Sequence, residues 1–339
     1  MTPAQRVGQL MYIGLTNNQL GPAEKAAIES HAVGSVWFTE FSADPLATVA
    51  AVSAQVQALR PATSGIGFLI GANQEGGQID QFYGPGFSPI PSALQQGTED
   101  PAALENQAAV WGKQLRDAGI NLNMAPVMDT VPPGRDQSNA PIGALQREYG
   151  HDPATVSVHG LAFMAGMHRS NELVTAKHFP GLGRVAVNTD YAADAVDDTT
   201  TVSDPYLAPF RQAVDGGVDL VMVSTARYTK IDPQHLAAFS PVVMDLLRSQ
   251  LHFDGVIAAD DLGGAVAVAS IPAGDRAVNF IAAGGDLITI KHAELAAPMV
   301  TAVLNRAATD RAFSDQVNTA AKRILRLKIR AGLVNCTGS

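Results

Sequence analysis

The stretch FDGVIAADDL, residues 253–262, contains the pattern that decides the fold. An apolar run with β-branched residues, 255–259, comes directly before two aspartates, Asp260 and Asp261. A continuous apolar run of this length is typical of a strand covered on both faces, as the strands of parallel sheets are. Polar residues that follow such a strand lie at its carboxyl end, where α/β proteins place their functional groups.

The same pattern recurs along the chain, where short apolar runs alternate with alanine-rich amphipathic segments that often begin with Pro or Asp. It predicts seven strands, at residues 35–38, 67–71, 122–125, 173–177, 220–224, 255–259 and 287–290. It predicts helices at residues 45–59, 101–118, 155–170, 205–216, 241–251 and 275–283, and a closing basic helix at 308–331. The alternation favours the α/β class and one domain, residues 1–339, folded as a TIM-like (β/α)8 barrel, with a doubly wound open sheet as the competitor.

Composition excludes several classes of protein. The 339 residues carry 23 Lys and Arg against 32 Asp and Glu, so no basic surface is available for nucleic acid. The apolar runs are much shorter than the roughly 20 residues of a membrane helix. The single cysteine, Cys336, excludes a disulfide within the chain and a cysteine-based zinc site. No Gly-rich nucleotide or phosphate motif is present, which argues against a nucleotide cofactor.

The amino-terminal residues, MTPAQ, show no basic segment followed by an apolar core. As written, the sequence therefore predicts a cytoplasmic protein. If a leader peptide has been removed, we expect a secreted or cell-surface protein instead.

Ionisable and amide side chains follow four of the predicted strands. Because the carboxyl ends of barrel strands meet at one rim, we expect these groups to lie together. Carboxylates, amides and fixed cationic donors are suited to the hydroxyl groups of a sugar. Three of the groups also have a local explanation: a turn for the glycines after Glu75, a helix cap for the Asp260-Asp261 pair, and a loop contact for Asp129. Lys177 and His178 are harder to explain locally, because a buried ammonium group is costly unless it is paired. The groups are Asn73 and Glu75, then Asp129, then Lys177 and His178, and then Asp260 with Asp261.

Four motifs at this rim resemble glycoside hydrolase family 3: QEGG at 74–77, GINLNMAPVMD at 119–129, KHFPGLG at 177–183 and FDGVIAADDL at 253–262. The likeness is greatest to the single-domain bacterial β-N-acetylhexosaminidases of that family, and it extends from the helix and strand of residues 2–14 to the terminal helix. The resemblance implies a TIM-like barrel and retaining hydrolysis of a terminal β-linked N-acetylglucosamine in cell-wall-derived glycans. It also implies that no metal or organic cofactor takes part.

The resemblance implies roles for individual residues. Asp260 occupies the position of the catalytic nucleophile. Lys177 and His178 match the sugar-binding Lys-His pair, and Arg147 matches the sugar-binding arginine if two residues are inserted before it. Asn73 stands where the family has an aspartate that binds a ring hydroxyl.

The site also departs from the family pattern. Asn188 and Asp190 occupy the positions of the Asp-His dyad that serves as acid/base, so the histidine is missing. Gln78 replaces an arginine near the sugar, and Thr225 replaces a histidine after the fifth predicted strand. These changes lie in the site and not in the scaffold.

Two interpretations follow from these departures. In the first, Asp190 is itself the acid/base, because a carboxyl group in a dry pocket near Asp260 has a raised pKa. In the second, the barrel has lost its acid and is a glycan-binding or regulatory pseudoenzyme. The four aspartates of segment 191–204 predict an acidic loop and not a metal site, since their spacing does not match a calcium loop.

Overall fold

Eight parallel strands, with helices between them, form the barrel that the alternating pattern predicts. The computed structural model describes residues 1–334, so Cys336 lies outside the described part. The strands are β1 (Met11–Leu15), β2 (Ser35–Phe38), β3 (Leu69–Ala72), β4 (Leu122–Asn123), β5 (Leu173–Phe179), β6 (Leu220–Val223), β7 (Val256–Ala259) and β8 (Ile288–Ile290). Each strand pairs with its neighbours in chain order, and β8 also pairs with β1.

The ring closes between β7 and β8 through a single parallel bridge, from Ala258 to Leu287. The amide of Ala259 donates to the carbonyl of Leu287 at 2.9 Å. The buried carboxylate of Asp286 supports this joint, because it accepts the amide of Ile257 at 2.8 Å. It also pairs with two guanidinium groups, those of Arg248 and Arg323. The barrel is therefore closed partly by side chains.

The helices follow the strands on the outside of the ring. They are α1 (Pro3–Gln9), α2 (Pro22–His31), α3 (Leu46–Gln57), α4 (Ala93–Gln96), α5 (Pro101–Asp117), α6 (Pro153–Arg169), α7 (Ala208–Asp215), α8 (Pro241–Asp245), α9 (Ala273–Ala283), α10 (Ala296–Thr309) and α11 (Arg311–Arg330). Asp100 and Asp152 cap α5 and α6 by accepting backbone amides of the first turn, and a proline follows each of them. Among the described residues, no helix has both the length and the apolar character needed to cross a membrane.

The structure differs from the predicted elements at one strand and three helices. The apolar runs predicted seven strands and missed β1, which is separated from α1 by Leu10 alone, with no Gly or Pro to mark a boundary. The predicted closing helix, 308–331, is interrupted at Asp310, which adopts an extended conformation and caps α11 through its carboxylate. The predicted helix 205–216 begins with a 3-10 turn, and 241–251 ends in a π-helical turn, Leu246–Gln250.

The inside of the barrel is filled by side chains that cross the ring. Tyr12 of β1 is fully buried, and its ring lies 6.4 Å from that of Trp37. Its hydroxyl occupies the space that a Cβ atom at Gly71 of β3 would need. Among the described residues, this hydroxyl has no hydrogen-bond partner. Gly71 therefore makes room for Tyr12.

We expect Gly71→Ala to lower the free energy of unfolding by about 1–3 kcal/mol, because the added methyl group overlaps the Tyr12 hydroxyl. The loss should be smaller when Gly71→Ala is introduced into a Tyr12→Phe background, where the hydroxyl is absent. Urea denaturation of the two single variants and the double variant measures this coupling. Strictly additive effects would contradict the contact.

Candidate active site

A cavity of about 650 Å³ opens at the carboxyl end of the barrel, between the loops that follow the strands. This volume lies within the range of small-molecule sites, about 300–1,000 Å³. Lys177 and Met222, which are register partners on β5 and β6, both line it. The cavity is lined by all six residues that the sequence predicts for the site, namely Asn73, Arg147, Lys177, His178, Asp190 and Asp260.

A buried ion cluster forms one wall of the cavity. The carboxylate of Glu75 accepts two hydrogen bonds from Arg147, from Nε and Nη2, both at 2.8 Å. Its Oε1 atom also lies 2.6 Å from Nζ of Lys177. Lys177 in turn donates to Oδ1 of Asn73 at 2.8 Å. One carboxylate therefore positions both cationic donors of the predicted sugar site.

The pKa values of this cluster reflect its burial and its pairing. Burial alone would raise the pKa of Glu75, but the charges of Arg147 and Lys177 outweigh it and hold that pKa at about 2. Burial lowers the pKa of Lys177, and the Glu75 carboxylate opposes that shift. One guanidinium and one ammonium group share the Glu75 carboxylate, and Asp260 adds a further negative charge near both of them.

His178 is fixed by a second buried carboxylate, that of Asp129. Oδ2 of Asp129 lies 2.8 Å from Nδ1 of His178, and Oδ1 accepts the backbone amides of His178 and Leu182 at 3.1 and 2.8 Å. Nδ1 of His178 donates to Asp129, so the other ring nitrogen, Nε2, faces Arg147. The distance from Nε2 to Nη2 of Arg147 is 3.5 Å. The pairing of β5 with β6 shifts register between Lys177 and Phe179, so two consecutive side chains reach the cavity.

The two aspartates after β7 differ in their hydrogen bonds. Asp261 accepts three backbone amides, from Gly263, Gly264 and Lys291, at 2.7–2.8 Å. Asp260 accepts one, from Asp261 at 2.9 Å, and lines the cavity. The helix cap that the sequence offered as an explanation for the pair is wrong, because the turn after Asp261 does not continue into a helix; Asp261 instead holds this turn and the residue that follows β8. The carboxylate of Asp260 remains on the cavity wall.

Asp190 approaches Asp260 from a loop that is docked on the segment after β7. The carbonyls of Thr189 and Asp190 accept the amides of Ala267 and Val266 at 3.1 and 3.3 Å. Partial removal from water raises the pKa of Asp190 to about 6, and the charges of Asp260 and Asp261 add to this effect. Asp190 is nevertheless exposed to solvent at the mouth of the cavity, so the dry pocket expected for it from the sequence is wrong. Asp190 is thus suited to hold or release a proton near neutral pH.

The residues that differ from the family pattern do not all lie in the cavity. Oδ1 of Asn188 accepts the amide of Asp190 at 2.8 Å, so Asn188 shapes the turn that presents that carboxyl group. Gln78 lines the cavity, whereas Thr225 is fully buried and is not among the lining residues. In the acidic segment, Asp197 accepts the amides of Thr199 and Thr200, which is a structural role.

Sequence reasoning missed several groups that line or support the cavity. The glycines after Glu75 indicated a turn, yet its buried carboxylate joins two cations. Trp37 lies near the end of β2 and lines the cavity, although nothing in the predicted strand distinguished it. Tyr191 is 82% exposed at the mouth, and Lys291 follows β8. Aromatic rings beside such a cavity are suited to the apolar face of a sugar.

Comparison with known proteins identifies the family. The profile of the glycosyl hydrolase family 3 N-terminal domain matches residues 2–327. The chain belongs to glycosyl hydrolase family 3. The resemblance that the four motifs indicated is confirmed, and so is the TIM-like barrel. As a member of the family, the protein is a glycosidase.

Its relatives are similar over most of their length. The crystal structure of a β-N-acetylhexosaminidase from Beutenbergia cavernae is 44% identical, with a TM-score of 0.95 over 97% of this chain and 98% of that one. A family 3 β-N-acetylglucosaminidase from Paenibacillus is 27% identical, with a TM-score of 0.89 over 100% of this chain and 64% of that one. A β-hexosaminidase from Stenotrophomonas maltophilia is 32% identical over 311 residues, 88% of each chain.

In this family 3 barrel, we expect Glu75→Gln to lower the free energy of unfolding by about 3–5 kcal/mol, because it leaves two buried cations without their carboxylate. The stabilisation by Glu75 should be complete above pH 4.5 and lost only as the pH falls toward its folded-state pKa of about 2. Urea denaturation as a function of pH measures both effects. The matched control is Asp117→Asn, which breaks an exposed pair with Lys113 and should cost less than about 0.5 kcal/mol. Equal costs in the two variants would contradict the assigned role.

Proposed function

We propose that the protein is a retaining β-N-acetylglucosaminidase acting on terminal residues of cell-wall-derived glycans. Asp260 is the nucleophile, and Asp190 is the acid/base. The observation that carries the proposal is the placement of Asp190 and Asp260 in one cavity, where burial and the neighbouring carboxylates raise the pKa of Asp190 to about 6. Retaining glycosidases need two such carboxyl groups, one ionised and one protonated.

In the first step, Asp260 attacks the anomeric carbon while Asp190 donates its proton to the departing oxygen. The bond to the aglycone breaks, and a glycosyl ester forms on Asp260. This ester removes the negative charge of Asp260, one of the causes that raise the pKa of Asp190. The lower pKa keeps Asp190 ionised after it has given up its proton, so that in the second step it can accept a proton from the water that hydrolyses the ester and releases the Asp260 carboxylate.

The buried wall supports the sugar during both steps. Arg147 and Lys177 are held by Glu75, so their remaining donors are fixed in direction before a substrate arrives. His178 is oriented by Asp129 and leaves Nε2 for the cavity side. Hydrogen bonds from such preformed donors strengthen as charge changes on the ring in the transition state.

The choice of sugar is supported by the relatives, which include a β-N-acetylhexosaminidase at 44% identity over nearly the whole chain. The comparisons give no support to the alternative of a catalytically impaired binding protein. The intact Asp260 and the raised pKa of Asp190 favour catalysis.

We expect Asp260→Asn to lower kcat/KM for a chromogenic β-N-acetylglucosaminide by at least about 10³-fold, because the amide cannot form the glycosyl ester. The matched control is Asp254→Asn, an exposed aspartate of the same motif outside the cavity lining, which should keep activity within about twofold of wild type. Unchanged turnover in Asp260→Asn would contradict the retaining assignment. The wild type should hydrolyse the N-acetylglucosaminide faster than the glucoside, xyloside and galactoside. A different preference would contradict the proposed sugar specificity but not the role of Asp260 as nucleophile.

We expect Asp190→Ala to slow substrates with poor leaving groups by about 10²–10⁴-fold, and aryl glycosides far less, since only poor leaving groups need a proton. In the wild type, kcat/KM for a poor leaving group should fall as the pH rises through about 6, because the acid must be protonated. This limb of the pH profile should be absent in Asp190→Ala. Asp194→Ala, an exposed acid of the same segment, is the control. Equal effects on both substrate types would argue against Asp190.

A further inference from the structure

A second cluster of ligating side chains lies outside the sugar cavity, in the segment between β4 and α6. It consists of Asp136, Glu148 and His151, none of which lines the cavity. Each residue offers one ligand atom, and these atoms all lie within 4.8 Å of one another. Nδ1 of His151 lies 3.4 Å from Oδ1 of Asp136.

The carboxylate of Glu148 shows that this cluster is not an ordinary surface group of acids. Glu148 is 0% exposed, and neither of its oxygens has a hydrogen-bond partner among the described residues. Oδ1 of Asp136 and Nδ1 of His151 are likewise buried atoms without a hydrogen-bond partner there. A buried carboxylate with no partner is costly, and burial together with the nearby Asp136 carboxylate raises the pKa of Glu148 to about 7.

We propose that Asp136, Glu148 and His151 bind a divalent first-row transition ion such as Zn²⁺. Two carboxylates and one imidazole form a mixed oxygen and nitrogen set, which suits Zn²⁺ and Mn²⁺ better than Ca²⁺ or Mg²⁺, since those ions prefer oxygen alone. A divalent ion balances the two negative charges and supplies the missing partner of Glu148. The side chains of Asp136 and His151 are 33% and 36% exposed, so the ion can enter and keep water ligands.

The three ligands come from both ends of the segment that carries Arg147. Asp136 lies in a 3-10 turn near its start, Glu148 follows Arg147 directly, and His151 lies just before the Asp152 cap of α6. A bound ion joins these points and fixes the backbone next to a sugar-binding side chain. The ion is therefore structural, and it takes no part in the chemical step.

The test is calorimetric titration of the EDTA-treated full chain with ZnCl₂. Wild type should bind one equivalent, and Glu148→Gln and His151→Ala should each weaken binding by at least about 10–100-fold. The matched control is His235→Ala, which removes a half-exposed histidine that pairs with one carboxylate, Asp232, and should leave the affinity unchanged. Asp190→Ala should also leave it unchanged, which separates this site from the sugar cavity. X-ray absorption should show one imidazole nitrogen and oxygen ligands at about 2.0–2.2 Å.

Three results would overturn the proposal: no uptake of Zn²⁺ by wild type, the same affinity in Glu148→Gln and His151→Ala as in wild type, or loss of binding in Asp190→Ala. If circular dichroism shows that Glu148→Gln does not fold, His151→Ala decides, because that side chain is half-exposed and its removal leaves the buried carboxylate in place. None of these results depends on glycosidase activity, so the test stands apart from the proposed function.

Discussion

The site depends on one buried carboxylate, that of Glu75, and the two cations it holds. Arg147 lies 72 positions from Glu75 along the chain, yet it donates two hydrogen bonds to it, and Lys177 completes the cluster. Without the carboxylate, two positive charges would be confined in the interior without the counter-ion that they share. The antiparallel hairpin after β3, formed by Gln74–Gly76 and Ile79–Asp80, is joined here to the segment after β4 and the end of β5. The cluster therefore fixes the geometry of the sugar-binding wall.

The role of each aspartate at the rim depends on how many hydrogen-bond donors surround its carboxylate. Asp129 accepts two backbone amides and lies against the His178 ring, and Asp261 accepts three backbone amides, so the charge of each is used to hold loops. Asp260 accepts a single amide, and its carboxylate faces the cavity. Burial and the negative charges of the neighbouring aspartates raise the pKa of Asp190. Similar residues thus differ in chemistry because the loops around them differ.

The fold was largely predictable, because buried parallel strands leave continuous apolar runs in the sequence. The apolar runs did not reveal strand β1, because no turn residue separates it from α1. The closing helix was predicted as continuous because the cap at Asp310 gives only a weak signal within a charged segment. The six predicted site residues all reach one cavity, since strand ends of a barrel share a rim. The role of Glu75 was not predictable from local pattern, because its partners lie far away in sequence.

The ring is joined at its closing seam by side chains as well as by the backbone. Between β7 and β8 the backbone contributes one bridge, and the carboxylate of Asp286 with its guanidinium partners supplies much of the remaining cohesion. Local opening costs least where main-chain bonding is sparse. Because Asp260 follows β7 directly, the proposed nucleophile lies beside this seam, whereas Glu75 follows β3, which is bridged by its backbone to both neighbouring strands. The two sides of the cavity thus differ in how the strands beneath them are joined, one partly through side chains and one through the backbone.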